Sequence, residues 1–360
     1  MSEPRSQAQF LISIQALRSI AALCVVIGHA ITEIHQAGHA FPQLPFNFVI
    51  GVDVFFVVSG FVMVLTGSKR PEAPSASAEF LRRRVIGVVP LYWFYTSAML
   101  LAIWLVPDQL NNGSLSPQLI ACSFFFMPCL NESGMYSPAL ALGWTLNYEM
   151  YFYLLFAIAL IGHGGGAWFF RLWALLLASI TASALVSGPW TFWGDPIILE
   201  LLAGAVLALL FLRLGSAPSF WGFLLSIASA AALYAFVTQD LESRALSLGL
   251  PAILFCAGFI LAFPRAWERP INRLSHYLGD SSYSLYLSHP FTLGICKIVW
   301  GKLDSGQSQP AAFLVVAVAA CILVARSSYV ALERPFTHWL LDASGPRRRL
   351  EGTVRHGGSA

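Results

Sequence analysis

The sequence predicts an all-α membrane protein, a single bundle of about ten transmembrane helices with a re-entrant segment near 118–130. Three observations predict it. Of 360 residues, 57% are hydrophobic and 11% charged, less than half the ~25% charge of a soluble domain, which excludes a soluble enzyme. Apolar runs of the ~20 residues needed to cross a bilayer recur along the chain. The basic residues then sort almost entirely to one side of the membrane once those runs are threaded through it.

The expected spans lie at 12–32, 47–67, 86–106, 144–162, 168–187, 194–212, 220–237, 247–264, 279–300 and 311–331. The first is read as a permanent helix rather than a removable signal, because it is long enough to span, contains Arg18 and lacks a small-x-small cleavage pattern before Thr32. The run at 118–130, LIACSFFFMPCL up to Leu130, is too short to cross and reads as re-entrant. Cytoplasmic segments collect Lys and Arg. With 118–130 not crossing, 18 of the 21 basic residues fall inside, leaving Arg244, Lys297 and Lys302 outside. A crossing there would give 10 inside and 11 outside, so ten spans with both termini cytoplasmic is the expected topology. The outer stretch from about 107 to 143 carries no Lys or Arg, and backbone at membrane depth must line a cavity or lie in protein. Residues 1–335 therefore form the membrane domain. Residues 336–360, rich in Arg and Gly, are expected as an unstructured cytoplasmic tail touching anionic lipid headgroups. The six cysteines, scattered through apolar runs with no C-x-x-C pair, read as small core residues, not as disulfides or metal ligands.

Ionisable residues inside spans are costly and so mark function. Arg18 and His29 are 11 residues apart on the first span, which returns them to within about 20° of one helix face and separates them by about 16 Å. Asp53 lies in the outer third of the second span, Glu149 and Tyr153 one turn apart on the fourth, and Trp144 at its outer end. Both carboxylates are expected level with His29. Tyr283, Tyr286 and His289 follow at three-residue steps on the ninth span. Before the third span, Arg82, Arg83 and Arg84 form a cluster suited to a polyanion such as nucleotide phosphates.

These motifs, in this order, resemble the acyltransferase-3 family of membrane proteins, which O-acylate bacterial cell-surface glycans and related molecules. The match comprises Arg18 with His29, GVDVFFVVSGF at 51–61 and the basic loop leading to Pro90-Leu91-Tyr92. It continues with Trp144 to Glu149, the GDSSYSLYLSH stretch at 279–289 and Glu333-Arg334-Pro335. One position departs from the family pattern: Gly87 stands where a further arginine is expected.

The resemblance implies an acyl-CoA donor, most often acetyl-CoA, as co-substrate with no permanently bound cofactor or metal. It implies as acceptor a hydroxyl of a glycan or lipid-linked saccharide at the outer face of the bacterial inner membrane, with polysaccharide-synthesis machinery as a possible partner. Nothing points to nucleic acid. Arg18, Arg82, Arg83 and Arg84 are then the CoA-binding candidates, and Trp144, Tyr153 and Tyr286 the substrate-binding ones. An alcohol needs a base to act as a nucleophile. His29 is the candidate, oriented by Glu149 or Asp53, with Tyr283, Tyr286 or His289 stabilising the oxyanion. A different class, a transporter or flippase for a lipid-linked saccharide, also uses buried His, Asp, Glu and Arg.

Overall fold

Apolar runs of bilayer length fold as helices. The structure, a computed structural model, describes residues 3–42, 44, 46–67, 75–106, 115–130, 134–161, 167–214, 224, 227–229, 231, 244–262, 270–303 and 309–344. Helices α1 (Glu3–Gln36), α2 (Ile50–Gly67) and α3 (Ala76–Leu105) are followed by the short α4 (Pro117–Phe125), then α5 (Gly143–Ala159) and α6 (Ala167–Leu185). A 3-10 turn (Pro189–Gly194) leads into α7 (Ile198–Leu214), and a π turn (Ala245–Gly249) into α8 (Leu250–Ala262). Helices α9 (Pro270–Asp280), α10 (Ser282–Leu303) and α11 (Pro310–Ser328) follow; a second π turn (Tyr329–Glu333) joins α11 to α12 (Arg334–Ser344).

Among the described residues six helical stretches are long and apolar enough to cross a membrane: Ile12–Gln36, Ile50–Gly67, Ala76–Leu105, Ala167–Leu185, Pro189–Arg213 and Pro310–Ser344. The chain is therefore a multi-pass membrane protein. Of the other expected spans, α5 has 17 residues and Ala245–Ile260 is a shorter apolar helix. Helix α10 has 22 residues, but Ser, Tyr and His along its first half dilute its apolar character. Ser282, Ser284, Tyr286, Ser288 and His289 are buried in protein, which shields them from lipid. The expected span at 220–237 lies outside the described residues apart from a few helical positions. The expected tail is helical as far as Ser344, and 345–360 lie outside the described residues.

The tightest seam runs between α2 and α7. Gly60 lies against the backbone carbonyl of Leu201, and Gly204 against that of Val57, so that a methyl group at either position would overlap main chain. Without a hydrophobic drive between helices inside lipid, such close approach of small residues is what holds them together. This seam fixes α2 and brings Asp53 and Ser59 to defined places.

One expectation about the cysteines fails. Cys122 and Cys129 form a disulfide, with their Cα atoms 6.1 Å apart. Scatter through apolar runs and the lack of a C-x-x-C pair hid this. The helix stops at Phe125, Phe126 takes a left-handed conformation (φ 57°), and the chain turns back so that Cys129 meets Cys122. Cys256 and Cys321 are buried free thiols, as a core role requires.

Candidate active site

A cavity of about 240 Å³ lies between α1, α2, α3, α5 and α10. Its wall joins residues that the sequence scatters over more than 300 positions: Arg18, Ser59, Arg83, Arg84, Glu149, Tyr153, Tyr283, Tyr286 and Glu333. Helical spacing explains the grouping. Glu149 and Tyr153 are one turn apart on α5, and the Tyr153 hydroxyl donates to Glu149 Oε1 at 2.5 Å. The Ser59 hydroxyl donates to the same oxygen. Two hydroxyls thus fix the half-buried carboxylate in the cavity wall.

Arginines rim one end. Arg84 donates to Thr66 Oγ1 (2.7 Å) and sits 5.6 Å from the ring centres of Phe80 and Tyr153. Arg83 is mostly exposed and pairs with Glu79, one turn earlier. Arg82 departs from expectation. It turns away from the cavity to pair with Glu79 (2.7 Å) and to donate to Ser344 on α12. Gly87 lines the same wall, and open space stands where its side chain would be. At the same end Glu333 accepts a hydrogen bond from Ser284 (2.6 Å) and interacts electrostatically with Arg18. The sequence motif contained Glu333 but offered no reason to assign it a role, because the π turn that swings it back towards α10 is not written in the apolar pattern.

At the other end Tyr286 closes the cavity, its hydroxyl bound to Leu142 O (3.1 Å) and Thr145 Oγ1 (2.8 Å). Tyr283 donates to Val88 O (2.9 Å). One turn beyond Tyr286 on α10 is His289, fully buried, with ring centres 6.2 Å apart. Its Nε2 lies 2.9 Å from Nδ1 of His29, which is itself exposed.

The hydrogen bonds fix the tautomers of this pair. Nδ1 of His289 is 3.1 Å from Leu285 O, and a carbonyl only accepts. The neutral ring therefore keeps its proton on Nδ1 and a lone pair on Nε2. His29 must then donate from its own Nδ1, which leaves the lone pair on its Nε2, the nitrogen not bonded to His289.

The His29 ring is hydrogen-bonded to His289, and to neither Glu149 nor Asp53. The reason lies in which helix each face meets. Asp53, fully buried, turns from α1 towards α7 and α8, where Arg244 Nη2 donates to its Oδ2 at 2.9 Å and the carboxyl of Glu200 abuts it. Glu149 faces the cavity that also contains Arg18. Trp144 does not reach the cavity and packs edge-on against Tyr148. Glu200, an acidic residue one turn into the sixth expected span, carried the same in-span signal as Asp53 and passed unassigned. Among the described residues no group of three or more His, Cys, Asp or Glu is arranged to hold a metal.

The chain is thus a helical membrane bundle with an arginine-rimmed cavity and a histidine pair one helical turn beyond the tyrosine that closes it. The family described as an acyltransferase domain matches residues 11–326, so the chain belongs to the acyltransferase-3 family and is an O-acyltransferase. It is 30% identical over 310 residues to the exopolysaccharide production protein ExoZ of Rhizobium meliloti (strain 1021), covering 82% of this chain and 93% of that protein. It is 24% identical over 376 residues to the peptidoglycan O-acetyltransferase OatA of Listeria monocytogenes serovar 1/2a (strain ATCC BAA-679 / EGD-e), covering 92% of this chain but 56% of that protein. No solved structure matches.

Proposed function

We propose that the chain transfers an acyl group, acetyl in the simplest case, from cytosolic acyl-CoA to a hydroxyl of an exported glycan at the outer face of the bacterial inner membrane. The observation that carries this reading is the adjacency of the arginine-rimmed cavity, closed by Tyr286, to the His29–His289 pair one helical turn further along α10. CoA is polyanionic and its pantetheine arm is long and narrow. Arg83, Arg84 and Arg18 receive the phosphates, and the arm follows the cavity so that the thioester reaches Tyr286. His29 Nε2 takes the proton of the acceptor hydroxyl while the oxygen attacks the thioester carbonyl. The C–S bond then breaks, the carbonyl re-forms as the ester, and the departing thiolate takes back the proton held by His29. Tyr283 and Tyr286 serve as oxyanion donors by turning their single O–H from Val88 O and Leu142 O to the developing oxyanion. Asp53 acts at a distance, by fixing α2 through Arg244.

In this reading the protein has ten spans with both termini cytoplasmic, and α4 with its disulfide dips in from the outer side. The disulfide supports that side, because disulfides persist in oxidising compartments and are rare in the cytosol. A membrane-impermeant thiol reagent added to intact spheroplasts should label Cys122 and Cys129 only after a reductant is supplied from outside. Labelling that requires permeabilisation places the pair on the cytoplasmic side and inverts the topology.

Radiolabelled acetyl-CoA enclosed in sealed vesicles with the protein tests the activity. Label should reach an external glycan, whereas a transporter or flippase would move saccharide with no label transferred. In the same assay Arg84→Ala should raise the KM for acyl-CoA about ten- to a hundredfold, the loss of a charge-assisted contact worth roughly 1.5–3 kcal/mol. Arg82→Ala should change it far less, because Arg82 is committed to Glu79 and Ser344. Equal effects of the two would contradict the assignment of the cavity rim.

A further inference from the structure

A second cavity, of about 250 Å³, lies on the opposite side of the histidine pair from the arginines. It is walled by the last turns of α1 and α10 and the first of α11, with Glu33, Lys297, Trp300, Gln309, Pro310 and Phe313 as its principal contributors. Glu33 is one turn past His29 on α1, about 6 Å along the axis, and Lys297 two turns past His289 on α10, about 12 Å. The two helices that hold the base therefore also build this cavity.

Its chemistry is selective. Glu33 and Lys297 form an ion pair at 2.7 Å, with side chains 28% and 44% exposed. The pair offers acceptors and donors without net charge, and Gln309 adds an amide and His39 an imidazole, each able to donate and to accept. A phosphate would need excess positive charge, and a cation excess negative. A neutral polyol needs neither, since each of its hydroxyls donates and accepts. Trp300, steadied edge-on by Phe313 (5.6 Å), and Pro310 supply the apolar wall against which the C–H face of a sugar ring packs. Few polar groups converging on an apolar concavity is the usual make-up of a small-ligand site.

The geometry points to this cavity as a saccharide subsite: it seats one sugar unit of the acceptor so that a neighbouring unit presents its hydroxyl to His29. Its purpose rests on the acyl-transfer reading above, but binding itself requires no donor. The test therefore uses the purified full-length chain in detergent without acyl-CoA, titrated calorimetrically with a panel of short glucose, galactose and N-acetylglucosamine oligomers. At least one oligomer should bind, and Trp300→Ala, Glu33→Gln and Lys297→Gln should each weaken it by more than about tenfold, the scale of a lost contact of about 1.4 kcal/mol. Trp300→Phe keeps an aromatic wall and should retain most of the affinity. Gel-filtration profile and thermal midpoint establish that each variant is folded, and the two charge-to-amide changes keep the shape of the side chains if Trp300→Ala does not fold. Absence of binding by every oligomer overturns the subsite, and so does binding that is indifferent to all three substitutions. Binding that behaves as expected while labelled acetyl-CoA fails to donate keeps the subsite and removes the acyl-transfer reading instead.

Discussion

His29→Ala is expected to lower acyl transfer by about 10²- to 10⁴-fold, the range for loss of a positioned general base, while leaving the protein folded. Its side chain is exposed and its one described side-chain hydrogen bond is to His289, so little packing is lost. His289→Ala should act indirectly. Without the acceptor nitrogen, nothing holds the His29 proton on Nδ1, and the ring samples the tautomer with its lone pair turned away from the acceptor. Nitrogen NMR of ring-labelled histidine should then show His29 as a mixture of tautomers in the variant and a single one in the parent. A merely structural role for His289 would lower activity without changing that signature. Full activity of His29→Ala in a correctly inserted protein would sink the mechanism.

Arg244→Met should destabilise the protein by about 3 kcal/mol, the lower end of the cost of breaking a buried ion pair, because the guanidinium is partly exposed while Asp53 is not. The guanidinium faces both Asp53 and Glu200, so removing it leaves two buried carboxyls against each other. The combined Arg244→Met, Asp53→Asn variant should recover part of the loss, since the second change removes the charge that the first one stranded. Thermal unfolding in detergent reads both, and the pair should be clearly non-additive, as for residues in direct contact. A single Arg244→Met variant that melts with the parent protein would show the ion pair to be idle.

The two sets of residues differ in how legible they were. Arg18, Glu149, Tyr153, Tyr283 and Tyr286 stood out because a polar residue inside an apolar run is costly and conspicuous, and the cavity gathers all five. Helix spacing also joined Glu149 to Tyr153 correctly. What spacing within one helix cannot reveal is which neighbour each face meets. Asp53 finds its partner 191 residues away at Arg244, and His29 finds His289 260 residues away. Both pairings depend on how α1, α2, α7 and α10 rotate against one another. Glycines such as Gly60 and Gly204 set that rotation, and they look like ordinary packing residues in sequence. The disulfide escaped for a local reason, the reversal at Phe126, which no apolar count registers. Hydropathy also undervalued α10. Its polar face made it a weak span and, for the same reason, a wall of the site through Ser282, Tyr283 and Tyr286.

The unequal exposure of the two histidines carries a consequence for selectivity against the commonest competing nucleophile. His289 is sealed from solvent, but His29 is open to it. In the proposed mechanism a base that serves an arriving hydroxyl serves water equally well, so an exposed His29 sets no barrier of its own to hydrolysis of the thioester. Protection of the donor must then come from occupancy. The incoming chain itself has to displace solvent from the face of His29, and the enzyme's thrift with its acyl groups depends on how completely that chain covers the opening.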